Sequence, residues 1–265
     1  TGKGMNIDRR RCDVCGACVS ACPSTALDIY GEYYEVDKLT AEVLKDKVFF
    51  EKSDGGVTLS GGEPTLHVQF IRELLEVFKS TGVHTALDTC GQCAWQALET
   101  LLPHTDLVMF DLKEMNAVKH KKFTGASSKT ILKNLSQLAR YAQNHKAQPE
   151  IWIRTPLIPG CTATEKNIKS IGAFIGKNLG AAIARWELCT FNNLCLHKYE
   201  GLGLDWEFKK APLLSAGEAQ ALADVARRSG ADPAIVHLSG PLKIAESSAA
   251  EKDEYEKSAA MAAGK

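Results

Sequence analysis

The feature that most constrains the fold is a regular alternation of short β-prone runs with amphipathic helical segments. The β-prone runs lie at residues 58–60, 83–87, 107–111, 151–154 and 186–191, with a further candidate at 234–238. Between them, apolar residues recur at the spacing of a helix that buries one face, as in Ile71, Leu74, Leu75 and Phe78. Strands separated by helices pair in parallel, because each crossover returns the chain to the same end of the sheet. The sequence therefore predicts an α/β fold with a parallel sheet and helices outside it.

The helical segments can be placed from the same periodicity. Helices are predicted over residues 37–52, 67–80, 93–102, 130–142, 168–175 and 215–228. Two sequences of the form T/S-x-x-E, at 162–165 and 215–218, match the capping box that opens a helix. The last segment, 246–265, is rich in Ala, Ser, Glu and Lys and has no core-forming pattern, which predicts a disordered tail.

Charge and hydropathy exclude some classes of function. Lys plus Arg and Asp plus Glu each number 32, so the formal net charge is zero. Proteins that bind nucleic acids or membrane surfaces usually carry a basic excess. No apolar run approaches the length of a membrane span, and no signal peptide opens the chain. We therefore expect a cytoplasmic protein whose partners include neither nucleic acid nor membrane.

Four of the nine cysteines form one dense run near the start. Cys12, Cys15, Cys18 and Cys22, the last followed by Pro, have the C-x2-C-x2-C-x3-C-P spacing of bacterial ferredoxins, which predicts a 4Fe–4S cluster. Zinc and free thiols are the alternatives, but zinc sites tend to combine C-x2-C with a distant Cys or His pair, and no such partner fits this run. In two-cluster ferredoxins the fourth cysteine ligates the other cluster, and no second run follows here. Residues 26–31 match the short strand and turn that close such a segment.

Polar side chains follow five successive predicted strands. These are Glu63, Asp88, Asp111 with Lys113, Arg154 and Asn192. The carboxyl ends of parallel strands meet at one edge, where α/β proteins bind ligands. A single acid at such a place is commonly a loop cap, but five in succession favour a site for a ligand that carries both charges. Cys90 and Cys93 alone could be a redox pair, and His120 is predicted to lie on the surface.

The segment 58–64 (TLSGGEP) resembles the S-adenosylmethionine-binding turn of radical S-adenosylmethionine (SAM) enzymes, and in particular of the enzymes that activate glycyl radical enzymes. The resemblance continues through the segments 88–91 (DTCG), 111–113 (DLK), 124–125 (TG), 156–160 (PLIPG) and 198–199 (KY), and covers about residues 8–205. It implies a partial (β/α)6 radical-SAM-type barrel. It also implies three regions: a ferredoxin-like segment at 1–36, the barrel at 37–245 and the tail at 246–265.

The resemblance also implies roles for individual residues. The implied cofactor-binding set is Ser60, Gly61, Gly62, Glu63, Asp88, Lys113, Arg154 and Asn192. Residues 60–63 match the turn that takes the methionine amino group, and Lys113 matches a lysine near the methionine carboxylate. Asp88, Asp111 and Leu112 match positions that hold a monovalent cation. Asn192 replaces a histidine that contacts the cofactor in the family.

One family motif does not occur in the sequence. The family holds its radical cluster with C-x3-C-x2-C, and no three cysteines here have that spacing. In the family that motif precedes the ferredoxin-like insert. We therefore expect that the first strand, the motif and half of the insert lie upstream of Thr1, and that the 265 residues alone are inactive.

The resemblance implies an activating enzyme that forms a 5′-deoxyadenosyl radical from S-adenosylmethionine and installs a glycyl radical on a partner enzyme. Its cofactors would be 4Fe–4S clusters, S-adenosylmethionine and a monovalent cation, and its electron donor a flavodoxin or ferredoxin. Two alternatives stay open: a radical SAM enzyme acting on a small molecule, and a ferredoxin-type electron-transfer protein.

Overall fold

The computed structural model of the protein describes residues 7–8, 10–29, 31–146 and 148–243. The chain divides into two compact units, Thr1–Leu44 and Lys45–Lys265. The boundary predicted after residue 36 precedes this observed boundary by one short helix. The predicted tail at 246–265 lies outside the described residues. Within the described ranges, no helix combines the length and apolar character that a bilayer span requires.

The first unit contains two short helices, α1 (Ala17–Ser20) and α2 (Val36–Val43). The strand predicted within 26–31 is wrong for its described part, because residues 26–29 form no strand; residue 30 lies outside the described residues. Local turns take up the backbone donors there: the Ile29 N–H donates to the Asp28 carboxylate and the Gly31 N–H to the Ile29 carbonyl.

The second unit contains the predicted parallel sheet. Its strands are β1 (Gly56–Leu59), β2 (His84–Thr89), β3 (Leu107–Asp111), β4 (Glu150–Leu157), β5 (Arg185–Thr190) and β6 (Val236–Ser239). All neighbouring pairs are parallel and the spatial order is β1-β2-β3-β4-β5-β6. The prediction of an α/β fold with a parallel sheet is therefore confirmed, including the sixth strand.

Eight helices are described in this unit. They are α3 (Lys47–Ser53), α4 (Val68–Ser80), α5 (Trp95–Leu101), α6 (Ala117–Thr124), α7 (Ser128–Asn144), α8 (Glu165–Asn178), α9 (Leu196–Gly201) and α10 (Ala216–Arg227). Helix α4 buries the apolar stripe predicted for it, with Leu74 and Leu75 almost fully enclosed. Burial of such stripes against the sheet forms the core, at about 25 cal/mol per Å² of apolar surface.

The two predicted capping boxes have different outcomes. The box at 215–218 is confirmed, because Ser215 and Glu218 exchange hydrogen bonds at the start of α10. The box at 162–165 is wrong: α8 begins at Glu165 and its N-cap is Thr164. The Thr162 hydroxyl instead accepts from the Ile158 N–H and donates to the Pro156 carbonyl, which closes the loop after β4.

Two further predictions need correction, and two helices were missed. The helix predicted over 37–52 is interrupted by a 3₁₀ turn at Leu44–Asp46. Helices α6 and α9 were not predicted, because α6 exposes Val118 and Phe123 and α9 is only 6 residues long, so neither has a clean apolar stripe. His120 is buried rather than on the surface, since its Nδ1 lies 2.8 Å from the Ala126 carbonyl and 3.1 Å from Thr124 Oγ1.

Candidate active site

The turn after β1 is fastened to the end of β2 by the Glu63 side chain. Glu63 Oε1 accepts from Thr65 N–H (3.2 Å), Thr65 Oγ1 (2.7 Å) and Thr89 Oγ1 (2.7 Å), and Oε2 accepts from Cys90 N–H (2.9 Å). Thr89 Oγ1 in turn accepts from the Gly91 N–H. This carboxylate therefore connects two neighbouring strand ends.

The same contacts decide how Glu63 ionises. Burial opposes the charged form, but hydrogen bonds from Cys90, Thr89 and Thr65 outweigh it and lower the pKa of Glu63. The carboxylate has no cation among these partners, so its charge is held by neutral donors alone. Its role in the geometry is to hold the turn.

The two glycines before Glu63 leave the turn uncovered. Gly61 has φ +118°, which an L side chain rarely adopts, and a Cβ built at either Gly61 or Gly62 would meet no atom within 4 Å. Backbone N–H and C=O groups of the turn are thus accessible to a ligand that approaches the carboxyl edge of the sheet.

A chain of ion pairs crosses strands β2, β4 and β5. Arg154 was predicted at the end of its strand, but it lies inside β4 (Glu150–Leu157). Arg154 Nη1 donates to Asp88 Oδ2 at 2.9 Å, and Ser60 Oγ donates to the same oxygen at 3.2 Å. Arg154 Nε lies 3.4 Å from Glu187 Oε2 without hydrogen-bond geometry, so this buried N–H has no hydrogen-bond partner among the described residues. Arg185 Nη2 lies 3.4 Å from Glu187 Oε1. Strands β2, β4 and β5 are thereby linked through alternating charges.

The β3 end carries a third polar group. Lys113 Nζ lies 2.5 Å from Asp111 Oδ2, and both side chains are about a quarter to a third exposed. Asn167 on α8 fixes this loop, because its Nδ2 donates to the Lys113 carbonyl at 2.8 Å and its Oδ1 accepts from the Met115 N–H at 3.0 Å. The ammonium group of Lys113 is therefore held at the edge but still reaches solvent.

Asn192 is separate from this network. It is exposed just beyond β5, and its Oδ1 accepts from the Leu194 N–H at 3.2 Å, which is a local turn. The structure brings Ser60, Asp88 and Arg154 into direct contact, whereas it places Asn192 on the edge without joining it to them.

The thiols of Cys90 and Cys93 lie beside the Glu63 turn. Burial, reinforced by the Glu63 carboxylate, raises the pKa of Cys90 to about 11, and burial also raises the pKa of Cys93. Redox-active cysteines show lowered values, because the thiolate is the reactive form. The interpretation of this C-x2-C as a redox pair therefore loses support.

The cysteine run of the first unit has mostly accessible sulfur atoms. Cys12, Cys15 and Cys18 are exposed and Cys22 is half-buried. A hydrogen bond from Ser24 and backbone N–H groups of Ala26 and Leu27 lower the pKa of Cys22, which favours the thiolate that binds metal. Within the described ranges, no three Cys, His, Asp or Glu side chains converge as a preformed metal site. The assignment of these cysteines to a 4Fe–4S cluster stays a prediction.

Several residues that shape the edge were not singled out from the sequence. They are Thr65, Thr89, Asn134, Asn167 and Glu187. Asn134 and Asn167 are buried on helices and donate to loop carbonyls 43 and 54 residues away. For Asn134 the available signal was a polar residue on the apolar stripe predicted over 130–142, whereas Asn167 precedes the helix predicted over 168–175 and had no such signal. In neither case does the sequence say which loop the side chain would bond.

Comparison with known proteins agrees with this geometry. The model of the radical SAM superfamily matches residues 9–168, more than half of the chain. This chain belongs to the radical SAM superfamily. The glycine turn after β1 lies within the matched residues.

Relatives place the chain more narrowly, among the activating enzymes of glycyl radical enzymes. It is 38% identical over 208 residues to the (2S)-3-sulfopropanediol dehydratase activating enzyme of Klebsiella oxytoca, covering 78% of this chain and 64% of that protein. It is 36% identical over 238 residues to the trans-4-hydroxy-L-proline dehydratase activating enzyme of Clostridioides difficile, covering 77% of this chain and 76% of that protein. The chain thus spans less than two thirds of the Klebsiella protein's length.

A solved structure supports the same radical SAM assignment. A domain of pyruvate-formate lyase-activating enzyme from Bacteroides vulgatus superposes with a TM-score of 0.56 at 26% identity, covering 70% of this chain and 99% of that chain. The fold is therefore shared, over 70% of this chain, with a domain of an activating enzyme.

Proposed function

We propose that this chain is the SAM-binding sheet of an activating enzyme that installs a glycyl radical on a partner enzyme. The observation that carries the proposal is the edge at which the open glycine turn, Asp88, Arg154 and Lys113 lie together. A methionine moiety carries an ammonium and a carboxylate, and this edge offers acceptors and cations within one site.

The residues would act in two ways. The uncovered backbone of Gly61 and Gly62 would accept from the methionine ammonium, while Glu63 keeps that turn in shape through its bonds to the β2 end. Lys113 and Arg154 would face the carboxylate, because each presents a cation held by a neighbouring acid. Asn192 would contact the cofactor only if its local turn opens.

A monovalent cation beside the cofactor would use Asp88 and Asp111. These carboxylates end the neighbouring strands β2 and β3. Each already has a basic partner, Arg154 and Lys113 respectively. We therefore expect cation binding to require that at least one of these pairs loosens.

The reaction needs a cluster as well as the sheet. A reduced 4Fe–4S cluster would give one electron to S-adenosylmethionine, which would break into methionine and a 5′-deoxyadenosyl radical; that radical would take a hydrogen atom from a glycine of the partner and become 5′-deoxyadenosine. Cys12, Cys15, Cys18 and Cys22 would hold a 4Fe–4S cluster fed by a flavodoxin or ferredoxin in the cytoplasm. Because no three cysteines here have the C-x3-C-x2-C spacing, we expect these 265 residues alone to give no radical.

Anaerobic calorimetry with S-adenosylmethionine tests the site. Glu63→Ala and Lys113→Ala should each weaken binding, because loss of either leaves polar groups unpaired at a partly desolvated site, about 1–3 kcal/mol or several-fold to more than a hundred-fold in affinity. Glu99→Ala, on the exposed side of α5, is the matched control. Wild-type affinity in both site variants would rule out this edge as the cofactor site.

A further inference from the structure

Helix α6 presents a basic and apolar face to solvent. Val118 is 80% exposed and Phe123 is 38% exposed. Lys119, Lys121 and Lys122 are also exposed, and within the described ranges no carboxylate forms an ion pair with them. In a chain of zero net charge, three unpaired lysines on eight residues are a marked local excess of positive charge. We call Val118, Lys119, Lys121, Lys122 and Phe123 the α6 face.

A cavity of about 200 Å³ adjoins this face. Its apolar walls are formed by Phe123, Pro156, Ile158 and Phe208, and Cys161 lines it too. Phe208 is held in place by an aromatic cluster, with ring centroids 6.2 Å from Phe191 and 6.3 Å from Trp206. The cavity is thus preformed, and its volume and the apolar part of its lining suit a single leucine or phenylalanine side chain.

The α6 lysines lie close enough to the cavity to affect the electrostatic potential in it. Burial raises the pKa of Cys161 and the exposed Glu207 adds to that effect, while Lys122 and Lys119 oppose it. Two carboxylates, Glu114 and Glu207, line the cavity together with Lys113. Glu114 is buried, so Glu207 is the exposed carboxylate of the lining, beside the exposed lysines of α6. These exposed lysines favour an approaching anion.

The position of the cavity says which partner would use it. Lys113 lines it, and Lys113 also belongs to the proposed cofactor edge. A protein substrate whose glycine reaches that edge must cover the loops after β3 and β4, which carry α6 and the cavity. The apolar side chains exposed on α6 gain from such cover.

We propose that the α6 face and the adjoining cavity dock an acidic segment of the protein substrate, with one apolar side chain in the cavity and carboxylates against the α6 lysines. This rests on the proposed function for the partner's identity, but the chemistry of the surface does not. The alternative occupants are a second copy of the chain and a lipid surface. The experiments below distinguish them from an acidic peptide by dimerisation and by binding to vesicles.

Fluorescence anisotropy with three labelled peptides tests the surface directly. The first probe is a 12-residue peptide with a central Leu-Phe between runs of Glu; in the second, Gln replaces Glu; in the third, Ser-Ser replaces Leu-Phe. The Glu peptide with Leu-Phe should bind, and each change should weaken it by about ten-fold or more. Binding should weaken further as salt rises, because exposed charges are screened. Equal affinity for the Glu and Gln peptides would overturn the proposal.

Charge reversal locates the contact. Lys119→Glu with Lys122→Glu should weaken the acidic peptide by about ten-fold, whereas Lys133→Glu with Lys177→Glu, at exposed positions on α7 and α8, should not. Mass spectrometry should also show that bound peptide slows alkylation of Cys161 several-fold, with Cys195 as the internal reference. An unaffected α6 variant, or unprotected Cys161, would contradict the docking site.

The outcomes separate this inference from the proposed function. The α6 variant should keep wild-type affinity for S-adenosylmethionine. If the wild-type protein does not bind that cofactor but binds the peptides as expected, the proposed function is wrong and the docking surface is retained. Concentration-dependent dimerisation that the α6 variant abolishes would assign the face to self-association instead. Binding to anionic vesicles in preference to the peptide would overturn the proposal as well.

Discussion

Two parts of the sheet stabilise partly buried charges in different ways. At the β1–β2 end, the Glu63 carboxylate is held by neutral donors from Thr65, Thr89 and Cys90. At the β4–β5 end, Arg154 lies between the carboxylates of Asp88 and Glu187. The first stretch therefore carries a net charge and the second alternates charges of opposite sign.

The difference has consequences for tolerance to change. Hydrogen bonds to a charged group contribute about 1.5–3 kcal/mol each, and the Glu63 carboxylate accepts from donors of Thr65, Thr89 and Cys90. In the alternating network, removal of one member leaves the others partly paired. We expect the β1–β2 end to be the more sensitive of the two, although it has fewer charges.

The largest effect should follow from Glu63→Gln. The new amide NH₂ would face donors from Thr65 and Cys90, so the free energy of unfolding in urea should fall by about 2–4 kcal/mol. Because the pKa of Glu63 is lowered in the folded protein from its ordinary value of 4.5, its ionised form stabilises the fold above that value. The stability difference between wild type and Glu63→Gln should shrink as pH falls through the folded pKa. Glu99→Gln is the control, and a loss below about 0.5 kcal/mol at neutral pH would break the comparison.

A smaller loss is expected for Arg154→Met, which keeps the stem and removes the charge. Asp88 and Glu187 then lose their common cation, at a cost of about 1–2 kcal/mol, since these side chains retain some exposure and are screened. A double-mutant cycle with Asp88→Asn should give a coupling energy of about 0.5–2 kcal/mol. Additivity within error would mean that the pair does not act as a unit.

The Cys90 thiol refines the comparison further. Cys90→Ala keeps the backbone donor to Glu63 and removes only the thiol, so the free energy of unfolding should fall by about 1 kcal/mol at pH 7. The pKa of Cys90 is raised in the folded protein, to about 11 from 9.0, so its stabilisation is complete below pH 9 and is lost as pH rises towards 11. The difference between wild type and variant should therefore diminish between those values. A difference that grows with pH would contradict this origin.

Lys113→Ala should have the smallest effect on stability. Its pair with Asp111 is partly exposed, and such pairs contribute about 0–1 kcal/mol. Urea unfolding should stay within about 0.5 kcal/mol of wild type while S-adenosylmethionine affinity falls. A large loss of stability would show that Lys113 belongs with the structural groups rather than with the ligand-facing ones.

Local pattern and elementary sheet geometry predicted the sheet well. Periodicity placed all six strands, and the carboxyl edge followed from their parallel pairing, so Asp88, Asp111, Lys113 and Arg154 were expected at one edge. Periodicity does not predict which groups a side chain will hydrogen-bond. Glu63 was expected to face the ligand, and in the structure its carboxylate accepts hydrogen bonds from Thr65, Thr89 and Cys90.

Two of the misses, at His120 and Asn167, share one physical cause. His120 lies in a lysine-rich, polar stretch, yet it is buried because its ring bonds to the Ala126 carbonyl across a turn. Asn167 lies one turn inside α8, yet its amide bonds to a loop 54 residues away. Hydrogen bonds between groups that are distant in sequence leave no periodic pattern, so they cannot be predicted from a single sequence.

The order β1-β2-β3-β4-β5-β6 has a consequence for how the protein is made. Among the described residues, each strand pairs only with its neighbours in sequence, so none of these strands must be inserted between two that already pair. As the chain emerges from the ribosome, each β-strand with its helix can dock on the edge left by the one before it. The sheet can thus grow in the direction of synthesis, and the contacts at its carboxyl edge can form in the order in which the residues are translated. Glu63 gains its hydrogen bonds when Thr89 and Cys90 have been made, and Asp88 gains its ion pair when Arg154 has been made.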